Sequence, residues 1–218
     1  MIMRNLVLLS LLASIALLSS CATKLPIEKG TFKETNLVEL IKLDSTIKLD
    51  IRYATKNNFV GQPVYTEARA FLQQDAADAL KRVNTKMQAL GYGLLVFDGY
   101  RPWSVTKIFY DVTSKENKKF VADPKEGSRH NRGCAIDVSL YNLDTKQEIQ
   151  MPGVYDEMTE RSYFDYNGGT LEQRVARDLL ISKMQEEGFT VYKFEWWHFD
   201  YKDWQQYKIT NKPFSEIK

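Results

Sequence analysis

The chain has 218 residues, 27% of them charged and 44% apolar, and its 30 Lys and Arg against 28 Asp and Glu leave a net charge of +2. The lysines are scattered along the sequence, which excludes a nucleic-acid-coating protein and leaves no charge run that reads as an interaction tail. The length suits one domain with a substantial core better than two.

In chain order the first element is a leader. Arg4 precedes an apolar run from Leu6 to Leu18, and Ser19 and Ser20 then lead into Cys21. A charged start, a short apolar stretch and small residues read as a secretory signal. The run is short for a membrane-spanning helix, which needs about 20 apolar residues. Leu18-Ser19-Ser20-Cys21 resembles a bacterial lipobox, which implies a signal peptide over 1–20 and a lipidated Cys21. The protein is then expected outside the cytoplasm, held to a bacterial membrane by lipid. Residues 21–36 read as a polar, Lys-rich tether, and 37–218 as the folded domain. With Cys21 lipidated, Cys134 has no partner for an intramolecular disulfide.

Within the domain, alternation at Val38-Leu40-Ile41 and at Ile47-Leu49-Ile51-Tyr53 predicts strands, and Asn57 to Pro63 reads as a loop. Ala76, Leu80, Val83, Met87 and Leu90 recur at helical spacing, predicting a helix over 73–90 that Gly91 ends. Gly93 to Phe97 and Cys134 to Leu140 read as strands. A second amphipathic helix is predicted over 170–187, followed by a last strand from Trp196 to Tyr201. Without regular βαβ alternation, this order predicts a single α+β domain with a small, largely antiparallel sheet flanked by helices, carrying a metal site on the sheet.

The chain has two histidines. His130 lies on a loop before the strand that carries Asp137, and Gly133 between them lets the chain turn. His198 comes from the last strand. Two imidazoles and one carboxylate suit a catalytic zinc ion, one per chain, with a coordination position left open. Several other divalent metals would accept the same donors. Glu195, three residues before His198, can reach the attacking water as a general base without being a ligand. Arg101 follows a strand end, and Pro102 stiffens the turn around it. Its always-charged fork suits the oxyanion of a tetrahedral intermediate, although it could instead pair with Asp98. Cys134 reads as a small buried residue rather than a ligand, and Trp196, Trp197, Phe199 and Tyr201 as strand packing.

Ser128-x-His130-x-x-Gly133-x-Ala135-x-Asp137 with Glu195-x-x-His198 resembles the zinc D-Ala-D-Ala peptidase superfamily. Asp98-Gly99-Tyr100-Arg101-Pro102 and the segment Asp50 to Phe59 narrow the resemblance to the VanX-type D-alanyl-D-alanine dipeptidases. The resemblance implies zinc on His130, Asp137 and His198, Glu195 as base and Arg101 on the tetrahedral intermediate. It also implies that Asp156 pairs the substrate's free ammonium and that Ser128 lies at the substrate pocket. The chain departs from the pattern at Cys134, where a small hydroxyl residue is expected, and in its lipobox, since the best-known relatives of this kind act in the cytoplasm. The expected activity is hydrolysis of D-Ala-D-Ala or a similar short dipeptide. Two alternatives stay open: a D,D-carboxypeptidase trimming peptidoglycan stems, and a non-catalytic, zinc-stabilised wall-binding lipoprotein.

Overall fold

The structure, a computed structural model, describes residues 24–218. The expected signal peptide and the lipidated Cys21 lie outside the described residues. Among those described, no helix is long and apolar enough to cross a membrane.

The elements in chain order are β1 (Leu37–Glu39), the single turn α1 (Leu40–Leu43), β2 (Lys48–Leu49), β3 (Phe71–Gln73), α2 (Gln74–Gln88), β4 (Tyr92–Asp98), α3 (Trp103–Val112), β5 (Ala135–Asn142), α4 (Leu171–Glu186), β6 (Phe189–Tyr192) and β7 (Glu195–Tyr201). The main sheet has the order β2-β4-β5-β7-β6; only the β2–β4 pair is parallel. β1 and β3 form a separate antiparallel pair. This is the α+β domain that the sequence predicts.

Side chains alternate across a strand, so Ile136, Val138 and Leu140 of β5 turn to one face and Asp137 to the other. The apolar set continues across the sheet, since Val138 lies opposite Val96 and Leu140 opposite Leu94. All five side chains are fully buried. α2 packs on the sheet at β4, and α4 packs at β6 and β7. The apolar face of α2 is Ala76, Leu80, Val83 and Met87, each without solvent exposure. α4 starts at a capping box in which Gln173 N donates to Thr170 Oγ1 at 3.3 Å and Thr170 N donates to Gln173 Oε1 at 2.9 Å.

Three local expectations need correction. The strand expected through Tyr53 stops at Leu49, because the chain turns into a 3₁₀ helix at Arg52–Ala54. The alternation there was a burial signal: Ile51 and Tyr53 are 4% and 2% exposed. The strand expected near Leu40 gives way to the turn α1. β3, α3 and β6 have no counterpart among the predicted elements. Pro102 stands at the N-cap of α3, so it starts a helix as well as stiffening a turn.

Candidate active site

β5 and β7 are adjacent and antiparallel, with Asp137 directly opposite His198. That register sets a carboxylate beside an imidazole on one face of the sheet. His130 arrives from a 3₁₀ turn, His130–Arg132, that ends in Gly133 at φ +68°. A side chain at Gly133 would be strained at that φ, and a Cβ would sit 2.4 Å from Leu37 Cδ2. Ser128 Oγ accepts from His130 N at 3.2 Å, and Asn131 Oδ1 accepts from Ser128 N at 2.8 Å, so the loop is tied internally.

Three donor atoms converge. His130 Nε2 is 3.0 Å from His198 Nδ1, His198 Nδ1 is 3.1 Å from Asp137 Oδ1, and His130 Nε2 is 3.3 Å from the same Oδ1. Ligands at ~2.0–2.1 Å in a tetrahedron stand ~3.3 Å from one another, so one zinc-sized ion fits the triangle. Each imidazole is oriented by a partner behind it. His130 Nδ1 donates to Gly99 O at 2.7 Å, and His198 Nε2 donates to Asp200 Oδ1 at 2.9 Å. Both acceptors lack a proton to give, so His130 Nδ1 and His198 Nε2 are committed as donors, and His130 Nε2 and His198 Nδ1 are the nitrogens turned to the metal position. The third ligand is held too, since Tyr155 Oη donates to Asp137 Oδ2 at 3.1 Å.

The electrostatics match. Burial opposes charge on Asp137, yet the two imidazoles beside it hold its carboxyl well below the usual range. Burial likewise opposes charge on His198, but Asp200 and Asp137 raise its imidazole to about 10. A metal therefore enters by displacing a proton there.

Glu195 Oε2 lies 3.8 Å from His198 Nδ1, close to the triangle but outside it. Burial raises this carboxyl to about 8. Arg101 is 8% exposed; its Nε donates to Asp98 Oδ2 at 2.9 Å, and its Nη2 makes an ion pair with the same oxygen at 2.8 Å. Its Nη2 also comes within 3.8 Å of Asp137 Oδ2. The pairing with Asp98 and a place at the metal site thus hold together. Arg101, Ser128, Arg129, His130, Glu195 and His198 line one cleft.

Asp156 does not line that cleft. It faces a neighbouring depression with Arg52, Asn58, Phe59 and Tyr155. Tyr53 Oη donates to Asp156 Oδ1 at 2.8 Å, whereas Oδ2 is buried and has no partner. Burial, with a smaller push from Asp137, raises this carboxyl to about 7 against the Tyr53 hydrogen bond. The residue holds φ +65°, a conformation that a non-glycine residue adopts under constraint.

Sequence reasoning missed Tyr53, Tyr155 and Asp200 as parts of the site and named Asp98 only as a pairing partner. Asp200 had a legible signal, because a residue two after His198 on a strand shares its face. The tyrosines had none, since their partners are distant in sequence. Cys134 is fully buried, and burial pushes its thiol up to about 12, consistent with a packing residue. Trp196, Trp197, Phe199 and Tyr201 are all buried.

The family described as D-ala-D-ala dipeptidase, peptidase M15, matches residues 33–218. The D-alanyl-D-alanine dipeptidase of Enterococcus faecium is 36% identical, over 72% of this chain and 87% of its own length. That of Enterococcus faecalis is 35% identical, over 78% of this chain and 89% of its own. The Escherichia coli D-alanyl-D-alanine dipeptidase is 30% identical, over 83% and 92%.

Proposed function

This chain belongs to the D-ala-D-ala dipeptidase family of M15 peptidases, which are zinc-dependent, and we propose that it hydrolyses the peptide bond of free D-alanyl-D-alanine or a dipeptide of the same kind. The observation that carries this reading is the triangle of His130 Nε2, Asp137 Oδ1 and His198 Nδ1 with Glu195 beside it. A wall-binding module would need no buried base at that position.

In this reading His130, Asp137 and His198 hold the zinc, which when bound acidifies a water and polarises the scissile carbonyl. Glu195 takes the proton of the attacking water and passes it to the leaving amine. Arg101, kept in place by Asp98, donates to the oxygen that becomes negative. Asp156, which opens on the neighbouring depression and not on the cleft itself, is assigned to the substrate's ammonium because its Oδ2 is desolvated and unpaired while Tyr53 holds the other oxygen. Ser128 lines the substrate cleft and its hydroxyl steadies the His130 loop.

The test is hydrolysis of free D-Ala-D-Ala by the purified chain, with metal added or chelated, beside an N-blocked peptide of the same C-terminus. Metal-dependent release of D-alanine from the free dipeptide alone supports the proposal and gives Asp156 its role. Cleavage of the blocked peptide instead would support a D,D-carboxypeptidase. Loss of neither zinc nor fold with activity on neither substrate would leave the wall-binding reading.

The lipobox-like Leu18-Ser19-Ser20-Cys21 supports placing this activity outside the cytoplasm, on a lipid anchor. We treat 21–36 as the connection to that anchor. Cys21→Ser should release the protein from the membrane fraction.

A further inference from the structure

We infer that the face made by the N-terminal segment and α3 rests against the membrane surface, so that the lipid anchor fixes the orientation of the enzyme as well as its location. The inference rests on lipidation at Cys21. Lys24 is three residues beyond that position, a reach of at most ~10 Å. Lys24 and Pro26 line a groove together with Trp103, Lys107, Tyr110 and Lys125. Whatever lies within that reach of the anchor must lie close to the lipid headgroups.

The segment does not swing freely from the body. Glu28 pairs with Arg132 Nη2 at 2.6 Å and accepts from Ile209 N at 2.7 Å, with side chains only 16% and 11% exposed for Glu28 and Arg132. Lys33 N donates to Gln206 O at 2.8 Å. Arg132 ends the turn that begins with His130, so the N-terminal segment is pinned to the loop bearing a metal ligand. Seven residues separate Cys21 from Glu28, at most ~25 Å of chain.

The surface near the anchor has the composition of an interfacial face. Ile27 is 94% exposed, and Leu25, Ile108 and Val112 are 40%, 37% and 53% exposed. Ile108 and Val112 lie one turn apart on α3, beside the groove residues Lys107 and Asp111. Single exposed aliphatics need no explanation, but each of these directly follows in sequence a residue that lines the groove (Lys24, Pro26, Lys107 and Asp111), and the groove also presents Lys125 and the rings of Trp103 and Tyr110. Lysine stems and amphipathic rings suit the boundary between headgroups and acyl chains. Asp111 and Asp123 also line the groove, so charge adds little and the apolar contact with the anchor carries the docking. The catalytic cleft opens next to this face: Lys119 to Ala122 line the cleft and Asp123 to Lys125 line the groove.

The full chain, processed in a bacterial host and reconstituted in vesicles of phosphatidylethanolamine and phosphatidylglycerol with nitroxide-labelled acyl chains, tests this. Ile27→Cys, Val112→Cys and, on α4, Val175→Cys each receive an environment-sensitive fluorophore; Cys134 is buried. Lipidation of Cys21 is read separately by mass spectrometry. With Cys21 lipidated, the first two labels should lose roughly half or more of their emission, as expected for groups ~5–10 Å into the interface, and the Val175 label should not. A lipidated protein whose three labels are equally unquenched, or whose Val112 label is shielded only through a second copy, would overturn the orientation and spare the anchor. An unmodified Cys21 would overturn both.

Discussion

Arg101 reaches the metal site held by Asp98, whose Oδ2 accepts from Nε at 2.9 Å and pairs with Nη2 at 2.8 Å. The other carboxylate oxygen is occupied by Tyr65 Oη at 2.7 Å and Gly99 N at 2.9 Å. The guanidinium is thus aimed by a fully paired, buried partner, and Gly99 in the same turn gives its carbonyl to His130. One short turn after β4 therefore orients both a residue of the metal triangle and the guanidinium proposed to meet the oxyanion.

Asp98→Asn should expose what that pair does. Removing one partner of a buried ion pair costs ~3–5 kcal/mol. Thermal denaturation should show a clear loss of stability, and kcat should fall as Arg101 loses its alignment. Zinc content, measured by atomic absorption, should stay at one per chain. A variant with native kcat would remove Asp98 from the account of Arg101.

Glu195→Ala should lower kcat by ~10²–10⁴-fold while leaving zinc bound, because a general base contributes about that much and Glu195 lies outside the donor triangle. Full activity in the variant would mean that another group takes the proton.

Asp200→Asn should weaken zinc binding by ~10–100-fold in competition with a chelator, since the carboxylate behind His198 sets its tautomer and basicity. Activity should recover when zinc is added in excess. Unchanged zinc affinity would show that the strand geometry alone suffices to hold the ring.

Asp156 links activity to pH. Its carboxyl is raised to about 7 in the folded chain, chiefly by burial, from an ordinary value near ~4. Between these values the folded state binds the extra proton, so this residue's contribution to stability declines as pH rises from about 4 to about 7. Above that window the buried charge is a standing cost. Asp156→Asn should therefore raise Tm at pH 8 and change it little at pH 4, while abolishing cleavage of the free dipeptide. In the wild-type protein kcat/KM should fall as pH drops through about 8 and then about 7, as Glu195 and then Asp156 take up protons; in the Asp156→Asn variant the limb near 7 should be absent for any residual activity. A variant that cleaves free D-Ala-D-Ala normally would sink the assignment.

Much of the chemistry was legible along the chain because the reacting types are scarce. Two histidines, each in a recognisable motif, leave few ways to build a nitrogen-rich metal site, and Glu195 is tied to His198 by a spacing that one strand fixes. The helices α2 and α4 were legible for the same kind of reason: their apolar positions recur every three or four residues, and Gly91 and Gly188 stop them. α3 was not, because its start at Pro102 read as the end of a turn. Nor was the 3₁₀ turn at Tyr53, whose alternating burial imitates a strand.

The sequence by itself determined the class of fold and the metal donors, and it pointed to Glu195 as the candidate base, since composition, period and spacing are local properties. The tertiary structure decided how those groups are held: the register that sets Asp137 against His198, the Asp98 grip on Arg101, and the tyrosines that tie Asp137 and Asp156 to the core. Each of those joins residues far apart in the chain, and only packing brings such partners within hydrogen-bonding distance.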